Sequence, residues 1–190
     1  MKPLTTLKFI AACANICWAT AAFAQHGGYQ ATPAPSGYAG EQLRSIKSLS
    51  ASDVTSLQVG AGMGLAKAAE LNGYPGPMHV LELKTQLKLT DQQRAAAEAL
   101  MAAHKTQARA LGAQLIEAER ALDAAFALKT ADPTSVTELT MRIGELQAKL
   151  RGEHLQTHLT QTAMLTPEQI ANYQILRGYN KATQSPTHLH

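Results

Sequence analysis

The stretch from Thr90 to Met164 constrains the fold most, because its apolar residues recur at alternating steps of three and four. Polar and charged residues fill the positions between them, as on the solvated face of a helix. In the first half, small and apolar residues, with His104 among them, occupy positions 97, 100, 104, 108, 111, 115, 118, 122 and 125. In the second half, the same spacing is seen in Val136, Leu139, Ile143, Leu146 and Leu150. The pattern predicts two long helices.

A short break separates the two helices. In the run from Lys129 to Pro133, Asp132 can cap the second helix and Pro133 suits its first turn. Because so short a connection makes consecutive helices antiparallel neighbours, the stretch is predicted to form a helical hairpin. The predicted fold class is all-α, with short N- and C-terminal helices around the hairpin.

The same five-residue pattern opens two of the predicted helices. Leu-Thr-Asp-Gln-Gln precedes the first arm, and Leu-Thr-Pro-Glu-Gln precedes a short helix after the second arm. Each pattern predicts a capping box, in which the Thr hydroxyl and the Gln side chain cap the helix start reciprocally. The motif residues are Leu89, Thr90, Gln93, Leu165, Thr166 and Gln169.

Two Leu-Thr-x-x-Gln motifs that flank a long hairpin resemble the Spy/CpxP family of periplasmic proteins. Three further runs, Gly62–Ala66, Ala69–Pro77 and His79–Leu83, resemble a branch of chaperone-like and heavy-metal-sensing members. The resemblance covers roughly residues 50–179. It implies an all-α, cradle-shaped homodimer that binds unfolded client proteins without ATP and acts in envelope stress or metal stress.

The N-terminus has the order of a secretion signal. Basic residues precede an apolar run that ends in Ala22-Phe23-Ala24, which predicts cleavage after Ala24 and a periplasmic protein. A lipid-anchored alternative would use Cys13. The predicted organisation is a signal peptide over 1–24, a flexible leader over 25–48, a helical domain over 49–179 and a disordered tail over 180–190.

Removal of this signal limits the possible chemistry. Cys13 and Cys17 lie within it, so the mature chain is predicted to have no thiolate nucleophile and no cysteine-ligated metal. The net charge falls from +3 to about +1, and no basic cluster remains to indicate nucleic-acid binding. Without a recognisable nucleophile or metalloprotease motif, the chain is not expected to be an enzyme.

Binding of unfolded envelope proteins is therefore the main functional prediction, and it follows from the resemblance. The alternative is binding or sensing of a heavy metal such as zinc, copper or nickel. His154 and His158 stand one turn apart on the second arm, a spacing that suits two imidazole ligands. Metal-sensing relatives place ligands near the hairpin start and just before the second motif, where this chain has Thr157 and Gln161.

Hairpin geometry predicts a third imidazole in the same place. If the turn centres near Ala131, facing residues have numbers that sum to about 262, which sets His104 opposite His158. His104, His154 and His158 would then converge, with Glu153 or Met101 as a possible fourth ligand. The alternative is that His104 forms a hydrogen bond between the two arms and binds no metal.

The short helices are less firmly indicated. We expect a helix from Ala51 to Leu71 behind a capping box at Ser50, in which glycines at 60, 62 and 64 allow close packing. A short helix is expected over His79–Leu87, and a last helix is expected to reach Tyr179. Because a hairpin of this length leaves apolar surface uncovered, a homodimer is predicted. The alternative is that the short helices cover the hairpin within one chain.

Overall fold

The computed structural model describes residues 36–179, and a compact unit begins at Tyr38. The predicted signal peptide, most of the leader and the tail lie outside the described residues. Within residues 36–179 the secondary structure is entirely helical. The α-helices are α1 (Ala51–Val59), α2 (Lys67–Glu70), α3 (Pro77–Glu82), α4 (Asp91–Ala127), α5 (Pro133–Ala163) and α6 (Pro167–Leu176).

The predicted hairpin is confirmed as α4 and α5. Asp132 accepts hydrogen bonds from the backbone N–H groups of Thr134 and Ser135, and Pro133 occupies the first helical turn. Complete capping boxes also start α1 at Ser50, α4 at Thr90 and α6 at Thr166. Each of these helix starts is fixed by hydrogen bonds within a few residues of sequence, which is why the sequence pattern located them.

Three of the predicted short helices have different boundaries in the structure. The helix expected over Ala51–Leu71 ends at Val59, because Gly60 adopts the left-handed conformation with φ 65°, and only Lys67–Glu70 is helical beyond it. The helix expected over His79–Leu87 spans Pro77–Glu82. The last helix ends at Leu176 and is followed by Gly178 at φ 76°.

The hydrophobic core follows the predicted stripes of α4 and α5. Its larger cluster joins the hairpin to α1 and the segment before it and contains Ile46, Leu57, Ala108, Leu115, Ile116, Ile143, Leu146 and Leu150. A second cluster, formed by Val80, Leu87, Leu165 and Tyr173, joins α3 to α6. The short helices thus cover part of the hairpin within one chain.

The contact between the two arms changes character along α5. Ile143, Leu146 and Leu150 are its buried residues near the turn, whereas His154, Thr157 and Gln161 continue the same stripe towards its C-terminus. A buried polar stripe is costly unless its groups have partners, so this half of the hairpin is where a functional site is to be sought. No helix within residues 36–179 has the length and apolar character needed to cross a membrane.

Candidate functional site

The two Leu-Thr-x-x-Gln motifs meet in space. The Gln93 amide nitrogen donates to Gln169 Oε1 at 2.8 Å, and the Gln169 amide nitrogen donates to Gln93 Oε1 at 3.0 Å. Each glutamine oxygen also accepts from the backbone N–H of the threonine that begins its own helix. The capping boxes therefore lock two helix starts together, although they are 76 residues apart in sequence.

The same amides reach the backbone of neighbouring segments. Gln93 Nε2 also donates to the carbonyl of Met164 at 2.9 Å, and Gln169 Nε2 donates to the carbonyl of Leu87 at 3.2 Å. Each amide thereby satisfies a backbone acceptor in a segment outside regular helix. The arrangement accounts for both motifs as a structural clamp that closes this end of the hairpin.

A cavity of about 610 Å³ lies between the segment from Val59 to Glu70, the start of α3 and the polar half of the hairpin. Every histidine within residues 36–179 lines it, as do three of the methionines there. These residues are His79, His104, His154, His158, Met63, Met78 and Met101. Imidazole nitrogen and thioether sulfur are neutral ligands for transition metals, so we refer to this space as the His–Met cavity.

His104 and His154 form the buried floor of the His–Met cavity. Their ring centroids are 4.5 Å apart in an edge-to-face arrangement. His104 Nδ1 lies 3.1 Å from a carboxylate oxygen of Glu153 and 3.0 Å from the hydroxyl of Thr157. The carboxylate accepts a hydrogen bond from Nδ1–H, so in the neutral form of the His104 ring the lone pair is on Nε2.

His154 has a ring nitrogen without a partner. Its side chain is only 4% exposed, and its Nε2 is buried without a hydrogen bond. Burial, assisted by the neighbouring His104, lowers the pKa of His154 to about 4. His154 is therefore neutral at physiological pH, which is the form that binds metal ions.

His158 approaches the cavity from the neighbouring turn of α5. Its Nδ1 donates to the backbone carbonyl of Tyr74 at 2.7 Å, which leaves Nε2 as the nitrogen with the lone pair. A Cβ on Gly76 would lie 2.7 Å from both Cε1 and Nε2 of this ring. Only glycine at position 76 lets the turn after Tyr74 come so close to the imidazole.

His79 repeats this arrangement on α3, where its Nδ1 lies 2.8 Å from a carboxylate oxygen of Glu82. A metal-binding histidine characteristically donates its other ring N–H to a carboxylate or a backbone carbonyl, which fixes the tautomer and the ring orientation. His79, His104 and His158 all have a partner of this kind on Nδ1. Their Nε2 atoms are the ones left for a ligand.

The one carboxylate of the cavity wall is already engaged. Glu70 Oε1 accepts hydrogen bonds from the hydroxyls of Tyr173 at 2.5 Å and Tyr179 at 2.9 Å. Arg177 lies 3.6 Å from Oε1, and His158 Nδ1 lies 3.7 Å from Oε2, which are ion-pair distances rather than hydrogen bonds. Glu70 therefore balances charge at this end of the fold, and only Oε2 has no hydrogen bond.

The cluster predicted from His104, His154 and His158 is formed only in part. The His104 ring contacts the His154 ring, and its Nδ1 lies 3.0 Å from the hydroxyl of Thr157, the residue before His158. Since α4 ends at residue 127 and α5 begins at 133, facing residues sum to about 260, and the turn centres one residue earlier than predicted. Within residues 36–179, no three His, Cys, Asp or Glu side chains are grouped so as to hold a metal ion.

Glu153 and Met101, the predicted fourth ligands, have different places. Glu153 is occupied as the hydrogen-bond partner of His104, whereas Met101 lines the cavity. Sequence reasoning missed Met63, Met78 and His79. The available signals were a methionine between two glycines in Gly62-Met63-Gly64 and an adjacent Met-His pair at the start of α3.

The donor set of the His–Met cavity fits a metal ion in three respects. It offers imidazole nitrogens, the Nδ1 partners of His104 and His158 are carboxylate or carbonyl oxygens, and it contains a buried nitrogen on His154 that lacks a partner. Thr157 and three methionines line the cavity beside the histidines, and so do the cationic side chains of Lys67, Lys105 and Arg109. The cavity therefore offers donor atoms and supporting hydrogen bonds suited to a metal ion, although no three His, Cys, Asp or Glu side chains within residues 36–179 stand close enough together to hold one as they are placed.

Comparison with known proteins agrees with this chemistry. A protein family described as heavy-metal resistance matches residues 59–172, a range that includes the His–Met cavity and both Leu-Thr-x-x-Gln motifs. Neither the curated proteins nor the solved structures contain a significant match. The match covers more than half of the chain, and the chain therefore belongs to the heavy-metal resistance family, which is part of the Spy/CpxP-like periplasmic helical proteins.

Proposed function

We propose that this protein binds a heavy-metal ion in the His–Met cavity and thereby serves metal resistance or metal sensing in the periplasm. The observation that carries the proposal is the convergence on one cavity of all four histidines within residues 36–179. Four histidines spread over α3, α4 and α5 would not meet in one place through helical periodicity alone. The family description supports the same function.

The structure supports a division of roles among the histidines. His104 and His154 would supply the buried nitrogens, and His158 would supply a nitrogen at the mouth of the cavity. Glu153 and the Tyr74 carbonyl would hold the rings in place through Nδ1. A bound metal ion would supply positive charge that draws these imidazoles together. The protein would take no catalytic part in this function.

Binding of unfolded client proteins was the main prediction from the resemblance, and the matched family description lends it no support. Metal binding replaces it as the leading proposal. An aggregation assay separates the two functions: a client-binding protein slows aggregation of a denatured protein at near-stoichiometric ratios without ATP and without added metal. We expect no such effect from the metal-free protein.

The proposal is tested by metal titration of the untagged protein. Cys13→Ser and Cys17→Ser should be introduced first, because both cysteines lie outside the described residues and would bind metal if the signal remained. Equilibrium dialysis with elemental analysis against Zn²⁺, Ni²⁺, Cu²⁺ and Ag⁺ should show one site per chain for at least one ion. His154→Leu should weaken that site by about tenfold or more.

A matched control replaces His188 and His190 by alanine, because these histidines also lie outside the described residues. This double variant should bind the metal as the parent does. Failure of all four ions to bind, or loss of binding in the control with no effect of His154→Leu, would contradict the proposal.

The predicted homodimer is part of the same proposal. Phe126, Leu128 and Met141, at or near the hairpin turn, are 55%, 73% and 71% exposed, which leaves apolar surface available for a second copy. Light scattering coupled to size exclusion should give twice the chain mass. A monomer at micromolar concentration would show that the short helices provide sufficient cover.

A further inference from the structure

The methionines of the His–Met cavity are not explained by packing. Met63 and Met78 are 45% and 49% exposed, so burial of their side chains contributes little to stability. Methionine in a core usually fills an irregular gap, and a half-exposed position offers no such gap. Their common feature is that both line the same cavity as the four histidines.

The backbone at Met63 adds a second observation. Met63 has φ 46°, a left-handed conformation that is unfavourable for a residue with a side chain, although Gly62 and Gly64 stand on either side. Glycine at position 63 would relieve this cost. Lys88 and Lys129 have the same left-handed conformation in turns, so the strain alone does not mark a site; of these three residues, Met63 is the one with a thioether side chain and the one that lines the cavity.

Two of the methionines are paired with histidines along the chain. Met101 precedes His104 by three residues on α4, so both side chains occupy one face of that helix, and Met78 directly precedes His79 at the start of α3. Sulfur and nitrogen ligands therefore enter the cavity from the same elements. Since no three His, Cys, Asp or Glu side chains within residues 36–179 form a metal group, sulfur is the ligand type that can complete the set.

Three cationic side chains line the cavity, and the carboxylates of Glu82 and Glu153, which contact the rings of His79 and His104, offset part of their charge. Lys67, Lys105 and Arg109 line it, and Glu70, the one carboxylate in its lining, is held by tyrosine hydroxyls. The histidine and methionine ligands are neutral, so they do not offset the charge of the ion. Repulsion from the cationic side chains is twice as large for a divalent ion as for a monovalent ion at the same place.

From these observations we propose that the His–Met cavity selects a soft monovalent ion, Cu⁺ or Ag⁺, over the divalent ions Zn²⁺ and Ni²⁺. This inference rests on the proposed function and specifies its metal. Thioether sulfur prefers soft ions such as Cu⁺, whereas imidazole also accepts Zn²⁺ and Ni²⁺. Met63, Met78 and Met101 are the residues that confer the preference, and His104 and His154 are the buried nitrogen ligands.

Ag⁺ is the suitable probe, because it keeps its oxidation state in air. The protein with Cys13→Ser and Cys17→Ser is titrated with silver nitrate in a chloride-free buffer, alone and with a tenfold excess of Zn²⁺ or Ni²⁺. Native mass spectrometry should show one Ag⁺ per chain in all three conditions. Displacement of Ag⁺ by either divalent ion would overturn the inference and leave the proposed function standing, whereas binding of none of these ions would overturn both.

The methionine contribution is measured with a matched pair of variants. The triple change Met63→Leu, Met78→Leu and Met101→Leu should lower the Ag⁺ affinity by about tenfold or more, because leucine keeps the size but offers no sulfur ligand. Met141→Leu is the control, since Met141 is exposed on α5 and does not line the cavity. An equal Ag⁺ affinity in the triple variant and the control would overturn the inference.

An independent measurement uses the protein without any cavity substitution. With the methionine methyl groups labelled with ¹³C, addition of Ag⁺ should shift the signals of Met63, Met78 and Met101 and leave that of Met141 in place. Unmoved cavity methyl signals in the Ag⁺-bound protein would show that the sulfurs are not ligands. This readout is unaffected by any instability of the triple variant.

Discussion

Gly112 is the position where the structure predicts the sharpest effect of adding one carbon atom. It lies within α4, and a Cβ placed there would be 2.4 Å from the backbone oxygen of Leu57 and 3.2 Å from Leu57 Cα. These atoms belong to α1, which therefore crosses α4 in direct backbone contact. Gly112→Ala must push α1 away from the hairpin, because a backbone atom cannot rotate aside as a side chain does.

Two opposing effects set the magnitude. Alanine in a helix interior is favoured over glycine by about 1 kcal/mol. Relief of the contact requires α1 to move by roughly 1 Å, which loosens the buried Leu57 and its neighbours, and such overpacking costs about 1–3 kcal/mol. Because a 2.4 Å contact with backbone is severe, we expect the upper part of this range and a net loss of about 1–2 kcal/mol.

Gly144 and Gly152 provide matched controls within α5, since a Cβ at either position would meet no atom within 4 Å. Gly144→Ala and Gly152→Ala should therefore raise the free energy of unfolding by about 0.5–1 kcal/mol. In thermal unfolding followed by circular dichroism, Gly112→Ala should lower Tm by roughly 2–8 °C, whereas the controls raise it slightly. A rise in Tm for Gly112→Ala equal to that of the controls would refute the close approach of α1 and α4.

Three further predictions concern the clamp, the buried histidine and the N-terminus. Gln93→Ala and Gln169→Ala should each destabilise the fold, and a double-mutant cycle should give a coupling energy of about 0.5–3 kcal/mol, because the two amides bond to each other; additive effects would contradict the clamp. For the metal-free protein, the contribution of His154 to the free energy of unfolding should be fully present above pH 6.5 and should decrease between pH 6.5 and about 4. The reason is that in this range His154 binds a proton in the unfolded chain but, with its lowered pKa, not in the native protein. The loss should reach roughly 3 kcal/mol at most and should be absent from His154→Leu; a parent and variant with equal pH slopes would contradict it. Mass spectrometry of the exported protein should find its N-terminus at Gln25, and an intact Met1 or a lipid on Cys13 would contradict the secretion signal.

The long helices were predictable because their determinants are local. The apolar stripes of α4 and α5, the Asp132 cap and the capping boxes at Thr90 and Thr166 each depend on residues within a few positions of one another. Such patterns can be read without knowledge of the tertiary structure. The capping box predicted at Thr90 is therefore found in the structure, where α4 starts directly after it at Asp91.

The loop before α2 was not predictable in the same way. Gly60 ends α1 in the left-handed conformation, and a Cβ there would lie 3.2 Å from Ala108 Cβ on α4, so the break depends on a distant element. Close packing was thus a correct interpretation for Gly60. It does not apply to Gly62, where an added Cβ would meet nothing within 4 Å.

The candidate site depends both on contacts that are local in sequence and on contacts with distant parts of the chain. The i,i+4 spacing of His154 and His158 is local, but the two rings have different partners in the structure. His158 is held by the Tyr74 carbonyl, 84 residues away in sequence, and this contact requires glycine at position 76. A prediction from hairpin register alone includes neither this turn nor the methionines that approach from the α1–α2 loop and α3.

The most direct test of the central claim is a long-range ¹H–¹⁵N spectrum of the histidine rings, recorded without metal and again after addition of Ag⁺, Zn²⁺ and Ni²⁺ in separate samples. The hydrogen bonds of His79, His104 and His158 predict a proton on Nδ1 of each ring in the metal-free protein. At least one ion, with Ag⁺ the strongest, should then shift the Nε2 signals of His104 and His154. Rings with the proton on Nε2, or Nε2 signals that no ion moves, would contradict a metal site in the His–Met cavity.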